Sequence, residues 1–339
     1  MTKHVYFRAD ADSKIGLGHL TRCLAIASML KERYECIFIL KESAESAKNL
    51  VIQNNYRIEL VGTSDLLQEA SFVSNLLKSG DYLVIDGYNF TEEYFIKVKS
   101  SGVFLVLIDD FFRESASADA IINHAIALPN KDLNFEGKSK FYLGEQYAML
   151  RPPFLVKARQ LRVVSKIENI FICFGGADLY NVTLKTLKAL ESINCKRSVH
   201  LVMASTFPFA AEIQYFVNQS SLNVILYNNL SAEEMAELMI KCEIAIAPSS
   251  GLSYEICAIG MGFLGGYFID NQKLIYNGFL QRGCLVGLND LSVITIEEMA
   301  EKISFLLVNL SLVNQIIAMQ RRTIDGNSSK NILNIFSSL

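Results

Sequence analysis

The sequence predicts an α/β fold built on parallel sheets. In its 339 residues, strand-like apolar runs alternate with segments whose apolar residues recur at helical spacing. Several of the strand-like runs are apolar at every position, which is typical of strands buried on both faces, as in a parallel sheet. Together, the two observations indicate consecutive strand–helix–strand units.

The first series of units lies in the N-terminal half. A short strand at 5–8 is followed by a helix at 19–31, in which Leu20, Leu24 and Ala27 share one face. The same patterns then predict a strand at 36–40, a helix at 72–77, and apolar strands at 82–85 and 103–108.

A second series begins after a change in composition near the middle of the chain. Three of the five prolines fall between 129 and 153, and the stretch 157–166 is basic without an acidic residue. We place the domain boundary here, which gives domains 1–153 and 154–339. Beyond it, the patterns predict strands at 170–174, 199–204, 224–227, 244–247 and 262–268, and helices at 182–191, 232–241 and 254–259.

The composition narrows the class of protein. Hydrophobic residues make up 51% of the chain and charged residues 20%, which is typical of a folded globular protein. No unbroken apolar run reaches about 20 residues, and the N-terminal segment has no apolar core of signal-peptide length. We therefore expect a cytoplasmic protein without a membrane span, and nothing in the pattern requires an oligomer.

The net charge and the spacing of the cysteines and histidines exclude further classes of protein. The formal net charge is −3, so no basic surface for nucleic acid is expected. The seven cysteines include no C-x-x-C pair, and no two of the four histidines have metal-ligand spacing. The sequence therefore predicts neither a bound metal nor a cofactor.

The first candidate motif, FRADADSKIGLGHLTRC at 7–23, turns from a strand into a helix. Ligands collect at this carboxyl end of parallel strands, and Gly16 and Gly18 let the backbone approach a ligand closely. His19 lies in the first turn of the helix, where the helix dipole favours the neutral imidazole that can accept a proton. The alternative is a plain turn with a surface histidine.

Two other interpretations of this segment are weaker. It is not a dinucleotide fingerprint, because Thr21 stands where G-x-G-x-x-G has its third glycine. Asp10 and Asp12 resemble a metal-binding acid pair, but no third acid or histidine clusters beside them. We expect one of these aspartates to fix the loop or to bind sugar hydroxyls.

The second motif, FICFGGADLYNVT at 171–183, repeats the strand–turn–helix pattern. The backbone N–H groups of Gly175 and Gly176, together with the following helix, predict a seat for a diphosphate that lacks the lysine of a P-loop. Asp178 and Asn181 are predicted to bind substrate there, and the alternative is that both cap the helix.

The third motif, IAIAPSSGLSYEICAIG at 244–260, places small residues at another helix start. Ser249, Ser250 and Gly251 can bind phosphate oxygens, and Glu255 can accept both hydroxyls of a ribose. A solvent-exposed helical glutamate is the alternative, although the neighbouring residues are apolar. Asn271 and Gln272 follow the last strong strand and are further candidates.

Two acidic positions end strands of the first series. Asp86 and Tyr88 follow a buried strand and are expected at the same rim as His19. Asp109 and Asp110 end the next strand, where acids ordinarily cap helices or form turns, and we expect that role for Asp110.

Seven ordered blocks together resemble one family, the UDP-sugar hydrolases of the pseudaminic acid pathway and their spore-coat polysaccharide biosynthesis relatives. The match extends over nearly the whole chain. The blocks are R-x-D-A…IG-x-GH-x-x-RC-L-x-x-A at 8–27, ID-x-Y at 85–88, IDD at 108–110, Gly144…YA-M-LRP at 147–152, FGGAD-x-x-N-x-T at 174–183, Ser-Gly…E-x-C-A-x-G at 250–260 and DNQ at 270–272.

The resemblance implies a MurG-like, GT-B-like fold of two Rossmann-like domains whose parallel sheets face a central cleft. It also implies cleavage of UDP from UDP-2,4-diacetamido-2,4,6-trideoxy-β-L-altropyranose by water. The family's catalytic histidine falls on His19, and its tyrosine near the reacting sugar falls on Tyr88. Its nucleotide-binding blocks fall on Gly175, Gly176 and the helix that carries Glu255.

We therefore expect an inverting, metal-independent nucleotide-sugar hydrolase whose N-terminal domain binds the sugar and whose C-terminal domain binds UDP. A GT-B glycosyltransferase with a separate acceptor, a UDP-sugar-binding protein without activity and an NAD-linked oxidoreductase are alternatives. Besides the catalytic pair His19 and Tyr88, the predicted substrate-binding residues are Arg8, Asp10, Gly16, Gly18, Asp86, Gly175, Gly176, Asp178, Asn181, Ser249, Ser250, Gly251, Glu255, Asn271 and Gln272.

Overall fold

The computed structural model describes residues 3–9, 17–113, 115–127, 139–176, 178–204 and 207–339. Contacts divide them into an N-terminal unit, made of the residues up to Ala125, 139–152 and Asn327–Leu339, and a C-terminal unit of Ile126, Ala127 and the residues from Pro153 to Gly326. The predicted boundaries, 1–153 and 154–339, differ from this division mainly at the C-terminal end, where 327–339 pack with the N-terminal unit.

Strands and helices alternate along both units. The strands are β1 (His4–Ala9), β2 (Glu35–Lys41), β3 (Arg57–Val61), β4 (Tyr82–Asp86), β5 (Phe104–Ile108), β6 (Ala120–Asn123), β7 (Lys140–Leu143), β8 (Asn169–Ile172), β9 (Ser198–Met203), β10 (Asn223–Asn228), β11 (Ile244–Pro248), β12 (Gly262–Tyr267) and β13 (Val286–Asp290). The helices are α1 (Gly18–Leu30), α2 (Glu45–Gln53), α3 (Leu66–Leu76), α4 (Glu92–Lys99), α5 (Pro152–Ala158), α6 (Val182–Ser192), α7 (Ala210–Gln219), α8 (Ala232–Ile240), α9 (Gly251–Ile259), α10 (Asp270–Gln281), α11 (Ile296–Leu307), α12 (Leu310–Thr323) and α13 (Ser328–Ser338), and a 3-10 helix spans Glu145–Tyr147.

Each unit is built on one parallel sheet. The N-terminal sheet has the strand order β3-β2-β1-β4-β5-β6-β7, and the C-terminal sheet has the order β10-β9-β8-β11-β12-β13. Neighbouring strands in the described residues run parallel, as in the pairs β1–β4 and β8–β11. The predicted α/β fold with parallel sheets is confirmed.

The burial of the strands explains this arrangement. All five residues of β4 and all five of β11 are buried, because helices cover both faces of the middle strands. The edge strands β3, β7 and β10 are half exposed, and their sequences mix polar with apolar residues. The buried middle strands are therefore largely apolar, whereas the edge strands, which are partly exposed, also contain polar residues.

Both sheets reverse their strand order at one place. The reversal lies between β1 and β4 in the N-terminal unit and between β8 and β11 in the C-terminal unit. In open parallel sheets, ligands bind in the crevice beyond the carboxyl ends of the strands at such a reversal. A ligand site is therefore expected in the loops that follow these four strands.

The last helix, α13, completes the N-terminal unit. Its Phe336 is fully buried, and the Phe336 carbonyl accepts a hydrogen bond from the Tyr82 hydroxyl at 2.7 Å. The Asn331 amide donates to the Gln146 carbonyl at 3.0 Å. The helix thus contributes to the core of the N-terminal unit, although about half of the chain separates it from the other elements of that unit.

Among the described residues, no single helix combines the length and apolar composition of a membrane span. One pair of segments, Ile296–Leu307 and Leu310–Ser338, meets both criteria when taken together, but the pair is bent by 89° at its break.

Candidate active site

Polar side chains meet where the N-terminal sheet reverses its order. His19 lies in the first turn of α1, and Asp86 is the last residue of β4. Tyr88 and Asp110 follow β4 and β5, and Arg22 lies one turn beyond His19 on α1. The structure therefore brings together three predicted residues, His19, Asp86 and Tyr88, with two that were not predicted as site residues.

His19 and Asp86 form a buried pair. The Nδ1 atom of His19 lies 2.5 Å from Oδ1 of Asp86, and the two residues are 7% and 0% exposed. Because a carboxylate only accepts, Nδ1 carries the hydrogen and donates it to Asp86. In the neutral imidazole, this arrangement places the lone pair on Nε2, which is the tautomer required of a general base. The alternative of a surface histidine is wrong.

The guanidinium of Arg22 joins two carboxylates. Its Nη2 lies 2.6 Å from Oδ1 of Asp86 and 3.0 Å from Oδ2 of Asp110, and its Nη1 donates to Oδ1 of Asp110 at 2.8 Å. Nε of Arg22 also donates to Oδ2 of Asp86. The two hydrogens of Nη2 are thereby used, so its 3.1 Å approach to Nδ1 of His19 is not a hydrogen bond.

Asp110 connects this arginine to Tyr88. Its Oδ2 accepts a hydrogen bond from the Tyr88 hydroxyl at 2.7 Å. Burial acts to raise the pKa of the Asp110 carboxyl, but the Arg22 guanidinium outweighs burial and holds that pKa well below its usual range. The Tyr88 ring stands edge-on to the imidazole of His19, with ring centroids 4.7 Å apart.

The expected turn-forming role belongs to the preceding residue. Oδ2 of Asp109 accepts from the backbone N–H groups of Phe111 and Arg113, at 3.0 and 2.9 Å. The prediction that Asp110 caps or forms the turn is therefore wrong, because its oxygens are used by Arg22 and Tyr88. Two adjacent aspartates carry no sequence signal that separates their roles.

His124 is a further buried group beside this cluster that the sequence analysis missed. It follows β6 and is 5% exposed. Burial, assisted by the positive charge of Arg22, lowers the pKa of His124 from 6.5 to about 4. His124 is therefore neutral at pH 7. The only available signal was its position directly after an apolar strand end.

The side chain of Arg8 is used in contacts within the N-terminal unit. Its side chain is 1% exposed, and its Nε donates to Oε1 of Glu69 at 2.6 Å. Its Nη1 donates to the Ala9 carbonyl at 2.8 Å, and the guanidinium stacks on Phe90 at 5.0 Å from the ring centroid. These contacts bury the cation and hold the end of β1, so they favour a structural role for Arg8 over the predicted contact with substrate.

Two of the predicted residues, Asp10 and Gly16, lie outside the described residues. Gly18 begins α1 and is exposed. At Gly18, Gly175 and Gly251, no atom of the described residues other than the chain neighbours and nearby helix backbone lies within 4 Å of the place that a Cβ would occupy. The backbone is therefore open to close approach at these three of the predicted glycines.

The glycine turn of the C-terminal unit lies at the reversal of its sheet. Gly175 follows β8 with a φ of +80°, a backbone conformation that favours glycine. Within the described part of the chain, no hydrogen bond uses the backbone N–H of Gly175 or Gly176. Both groups therefore remain able to donate to an anion.

The neighbouring helix start is already occupied. Asp178 is fully buried, and its two oxygens accept from the backbone N–H groups of Val182 and Thr183 at 2.8 and 2.9 Å. Asn181 accepts from the Leu184 N–H at 3.4 Å. The side chains of Asp178 and Asn181 thus cap α6, which is the alternative given above, and a contact of either with substrate stays a prediction. Burial raises the pKa of the Asp178 carboxyl, and its hydrogen bonds oppose part of that effect.

The start of α9 offers a more open seat. Ser249 is fully buried, and its Oγ has no hydrogen-bond partner among the described residues. The backbone N–H of Ser250 is bonded to Ser253 and Pro248, whereas Gly251 is exposed. Glu255 lies one turn into the helix and is 6% exposed, so it is not the solvent-exposed glutamate of the alternative interpretation.

The last two predicted residues lie in the first turn of α10. Oε1 of Gln272 accepts from the Phe268 N–H at 3.1 Å, which fixes the turn after β12. Asn271 is half buried beside it. In the described ranges, no group of three or more His, Cys, Asp or Glu side chains has the geometry to hold a metal ion.

Sequence comparisons identify proteins similar to this chain. It is 25% identical over 288 residues to the UDP-2,4-diacetamido-2,4,6-trideoxy-β-L-altropyranose hydrolase of Campylobacter jejuni, with 82% of this chain and 97% of that protein covered. It is 23% identical over 291 residues to the spore coat polysaccharide biosynthesis protein SpsG of Bacillus subtilis, with 84% and 83% covered. No family model matches the chain.

A third relative is an uncharacterized protein of Methanocaldococcus jannaschii, 24% identical over 294 residues. The match covers 83% of this chain and 59% of that protein, so the chain spans less than two thirds of this relative. The resemblance inferred from the seven motif blocks is confirmed by these matches over more than four fifths of the chain.

Solved structures of glycosyltransferases share the fold. MurG of Acinetobacter baumannii superposes with a TM-score of 0.69 at 14% identity, over 99% of this chain and 100% of that chain. A UDP-glucosyltransferase from Polygonum tinctorium gives the same TM-score and identity, with 99% and 98% covered. The predicted GT-B-like, MurG-like fold is confirmed.

Proposed function

We propose that this chain hydrolyses a UDP-linked 2,4-diacetamido-2,4,6-trideoxy sugar of the altropyranose type to UDP and the free sugar, with inversion. The observation that carries the proposal is the His19–Asp86 pair at the reversal of the N-terminal sheet, because it leaves Nε2 of His19 as a base. The similarity to the Campylobacter jejuni hydrolase supports the substrate class. Such a step would serve the biosynthesis of pseudaminic acid or a related surface polysaccharide.

In the proposed mechanism, water attacks C1 of the sugar from the face opposite UDP. A bond forms between the water oxygen and C1, and the bond from C1 to the diphosphate oxygen breaks with its electron pair leaving on UDP. Nε2 of His19 takes the proton of the attacking water. General-base catalysis of this kind contributes about 10²- to 10⁴-fold to the rate.

The charges around His19 suit this proton transfer. Asp86 and Asp110 carry two negative charges and Arg22 one positive charge, so the cluster has a net charge of −1 while the imidazole is neutral. Proton uptake by His19 brings the net charge to zero. The cluster therefore stabilises the imidazolium that forms in the transition state, as the aspartate of a catalytic triad does.

The C-terminal unit supplies the UDP site in this proposal. The N–H groups of Gly175 and Gly176 and the exposed start of α9 at Gly251 donate to the diphosphate. The Ser249 hydroxyl adds a donor, and the Glu255 carboxylate accepts from the ribose hydroxyls. Ser250, Asn271 and Gln272 stay predicted contacts around this site, and Gly18 stays one on the sugar side.

A GT-B glycosyltransferase is the second candidate, because the two solved structures cited above are transferases of this fold. The chemistry would differ only in the nucleophile, with an acceptor hydroxyl in place of water. Fold alone does not separate the two reactions.

The decisive experiment measures UDP release with EDTA present. The altropyranose nucleotide and UDP-N-acetylglucosamine are offered separately, and the sugar product is followed by NMR from the first turnover. We expect release of free sugar from the first nucleotide, initially as the inverted anomer and at a rate that EDTA does not change. Release that requires an added acceptor, with the sugar attached to it, would establish the transferase instead.

A further inference from the structure

We infer that Arg22 and Asp110 are positioning residues that set the tautomer of His19 and the orientation of Tyr88 together. The inference rests on the proposed function only for the role of His19, and it takes Tyr88 as the predicted catalytic residue beside it. It concerns two side chains that the proposed mechanism uses solely as charges. In this arrangement, the guanidinium of Arg22 determines the geometry of both His19 and Tyr88.

The guanidinium of Arg22 fixes the Asp86 carboxylate. Arg22 holds both of its oxygens, through Nη2 on Oδ1 and Nε on Oδ2. This fork-like contact fixes the plane of the carboxylate. Only with that plane fixed does Oδ1 lie 2.5 Å from Nδ1 of His19 and select the tautomer with the hydrogen on Nδ1.

The same guanidinium holds the Asp110 carboxylate from its other side. Nη1 donates to Oδ1 of Asp110, and Nη2 lies 3.0 Å from Oδ2. Oδ2 in turn accepts from the Tyr88 hydroxyl at 2.7 Å. The hydroxyl hydrogen of Tyr88 is thus directed at Asp110, and the ring is held edge-on to His19.

The local burial makes the arrangement rigid. The side chain of Arg22 is 14% exposed, that of Asp110 13% and that of Asp86 0%. The Cys23 thiol also lies against Oδ2 of Asp86, at 3.9 Å. A lysine at position 22 would keep the positive charge but would lack the planar set of donors that two carboxylates require.

The first test measures the tautomer of His19 without substrate. The chain has four histidines, so the ¹⁵N spectrum of histidine-labelled protein can be assigned by single substitutions. We expect the wild type to carry the hydrogen on Nδ1 of His19, and Arg22→Lys to shift the population toward Nε2–H. A His19 tautomer that is the same in Arg22→Lys as in the wild type would overturn the inference, whatever reaction the enzyme catalyses.

The second test is a double-mutant cycle on turnover. Asp110→Asn is expected to lower kcat by about 10- to 100-fold with a smaller change in KM. In the Tyr88→Phe background, the same substitution should lower kcat by a smaller factor, because the part of its effect that acts through the Tyr88 hydroxyl is already lost and only the loss of the Asp110 charge remains. Strictly additive losses would show that Asp110 does not act through Tyr88 and would overturn this half of the inference. This test stands even if Arg22→Lys does not fold.

Arg57→Lys is the matched control for both tests. Arg57 lies on the edge strand β3, where it is paired with Glu59 at 2.7 Å and with Glu35 at 3.5 Å. Its substitution should leave the His19 tautomer and kcat unchanged. If the tautomers behave as expected but no UDP-sugar is hydrolysed by the wild type, the proposed function fails while the positioning role stands.

Discussion

The imidazole of His19 and the carboxylate of Asp86 are joined at 2.5 Å although the two residues come from elements 67 positions apart in the sequence. The strand order explains their meeting, because β1 and β4 are neighbours at the point where the sheet order reverses. A helix start and a strand end are thereby brought to the same rim.

Removal of the base should abolish most of the turnover. We expect His19→Ala to lower kcat by at least about 10²-fold and to leave the Kd for UDP unchanged, because UDP is bound by other residues. Asp86→Asn should also lower kcat, because an amide no longer selects the Nδ1–H tautomer. Steady-state kinetics and calorimetry with UDP provide the two readouts.

His4→Gln is the control for the histidine substitution. His4 bonds to Asp81 at the opposite end of β1, so its loss should not affect kcat. A near wild-type kcat in His19→Ala would remove His19 from the mechanism.

Ser249→Ala should separate stability from binding. The buried Oγ of Ser249 has no partner in the described part of the chain, and an unsatisfied buried hydroxyl costs about 1–3 kcal/mol. We therefore expect the variant to have a higher Tm than the wild type without ligand. If the hydroxyl donates to a phosphate of UDP, the Kd for UDP should rise by about tenfold or more.

Ser253→Ala is the matched control for this substitution. Its Oγ accepts from the Ser250 N–H at 3.1 Å and donates to the Pro248 carbonyl at 3.2 Å. The control should therefore lower the Tm. An unchanged Kd for UDP in Ser249→Ala would exclude a phosphate contact by that hydroxyl.

Arg8 should prove to be a stabilising residue. Arg8→Met leaves the Glu69 carboxylate buried without its cation, which should lower the free energy of unfolding by about 3–5 kcal/mol. The double variant Arg8→Met/Glu69→Leu should recover most of that loss, because neither charge remains. Urea unfolding measures both variants.

The KM for the UDP-sugar distinguishes a stabilising role of Arg8 from a role in substrate binding. If the double variant is stable and keeps the wild-type KM for the UDP-sugar, Arg8 does not bind substrate. A stable double variant with a strongly raised KM would restore the original prediction.

Stability should fall in mild acid because of His124. Its pKa is about 4 in the folded chain, whereas an unfolded histidine titrates near 6.5. Between these values the unfolded state binds more protons, so stability is complete above about pH 6.5 and is lost as the pH falls toward 4. At pH 5 the contribution lost amounts to about 2 kcal/mol.

The check compares urea unfolding at pH 7 and pH 5. His124→Gln should remove about 2 kcal/mol of the difference between the two pH values. An identical pH dependence in wild type and His124→Gln would show that His124 does not titrate as stated.

The sequence predicted the middle of each sheet better than its edges. The strands at 82–85 and 244–247 were visible because β4 and β11 are buried on both faces and therefore apolar throughout. The edge strand β3 was missed because only one of its five residues is buried and its sequence, RIELV, carries two charges. The helix α13 was missed because its partners lie far away in the sequence.

Part of the site could be predicted because some of its residues carry signals in the local sequence. Glycines after strands and a histidine at a helix start are local signals, and they indicated His19, Gly175 and Gly251. The pairing of Arg22 with Asp110 spans 88 positions, so no local pattern shows it. Capping by Asp178 was the alternative to its predicted contact with substrate, and the residue type alone did not decide between the two.

The position of α13 has a consequence for synthesis on the ribosome. The N-terminal sheet is complete once β7 has been made, but its Phe336 contact is supplied by residues translated after the whole C-terminal unit. The N-terminal unit must therefore wait, with the surface around Tyr82 uncovered, until 328–338 have left the exit tunnel. At about 5–20 residues per second, the roughly 190 residues between β7 and α13 correspond to a delay of about 10–40 s. A chaperone that shields apolar surface would be most useful during that interval.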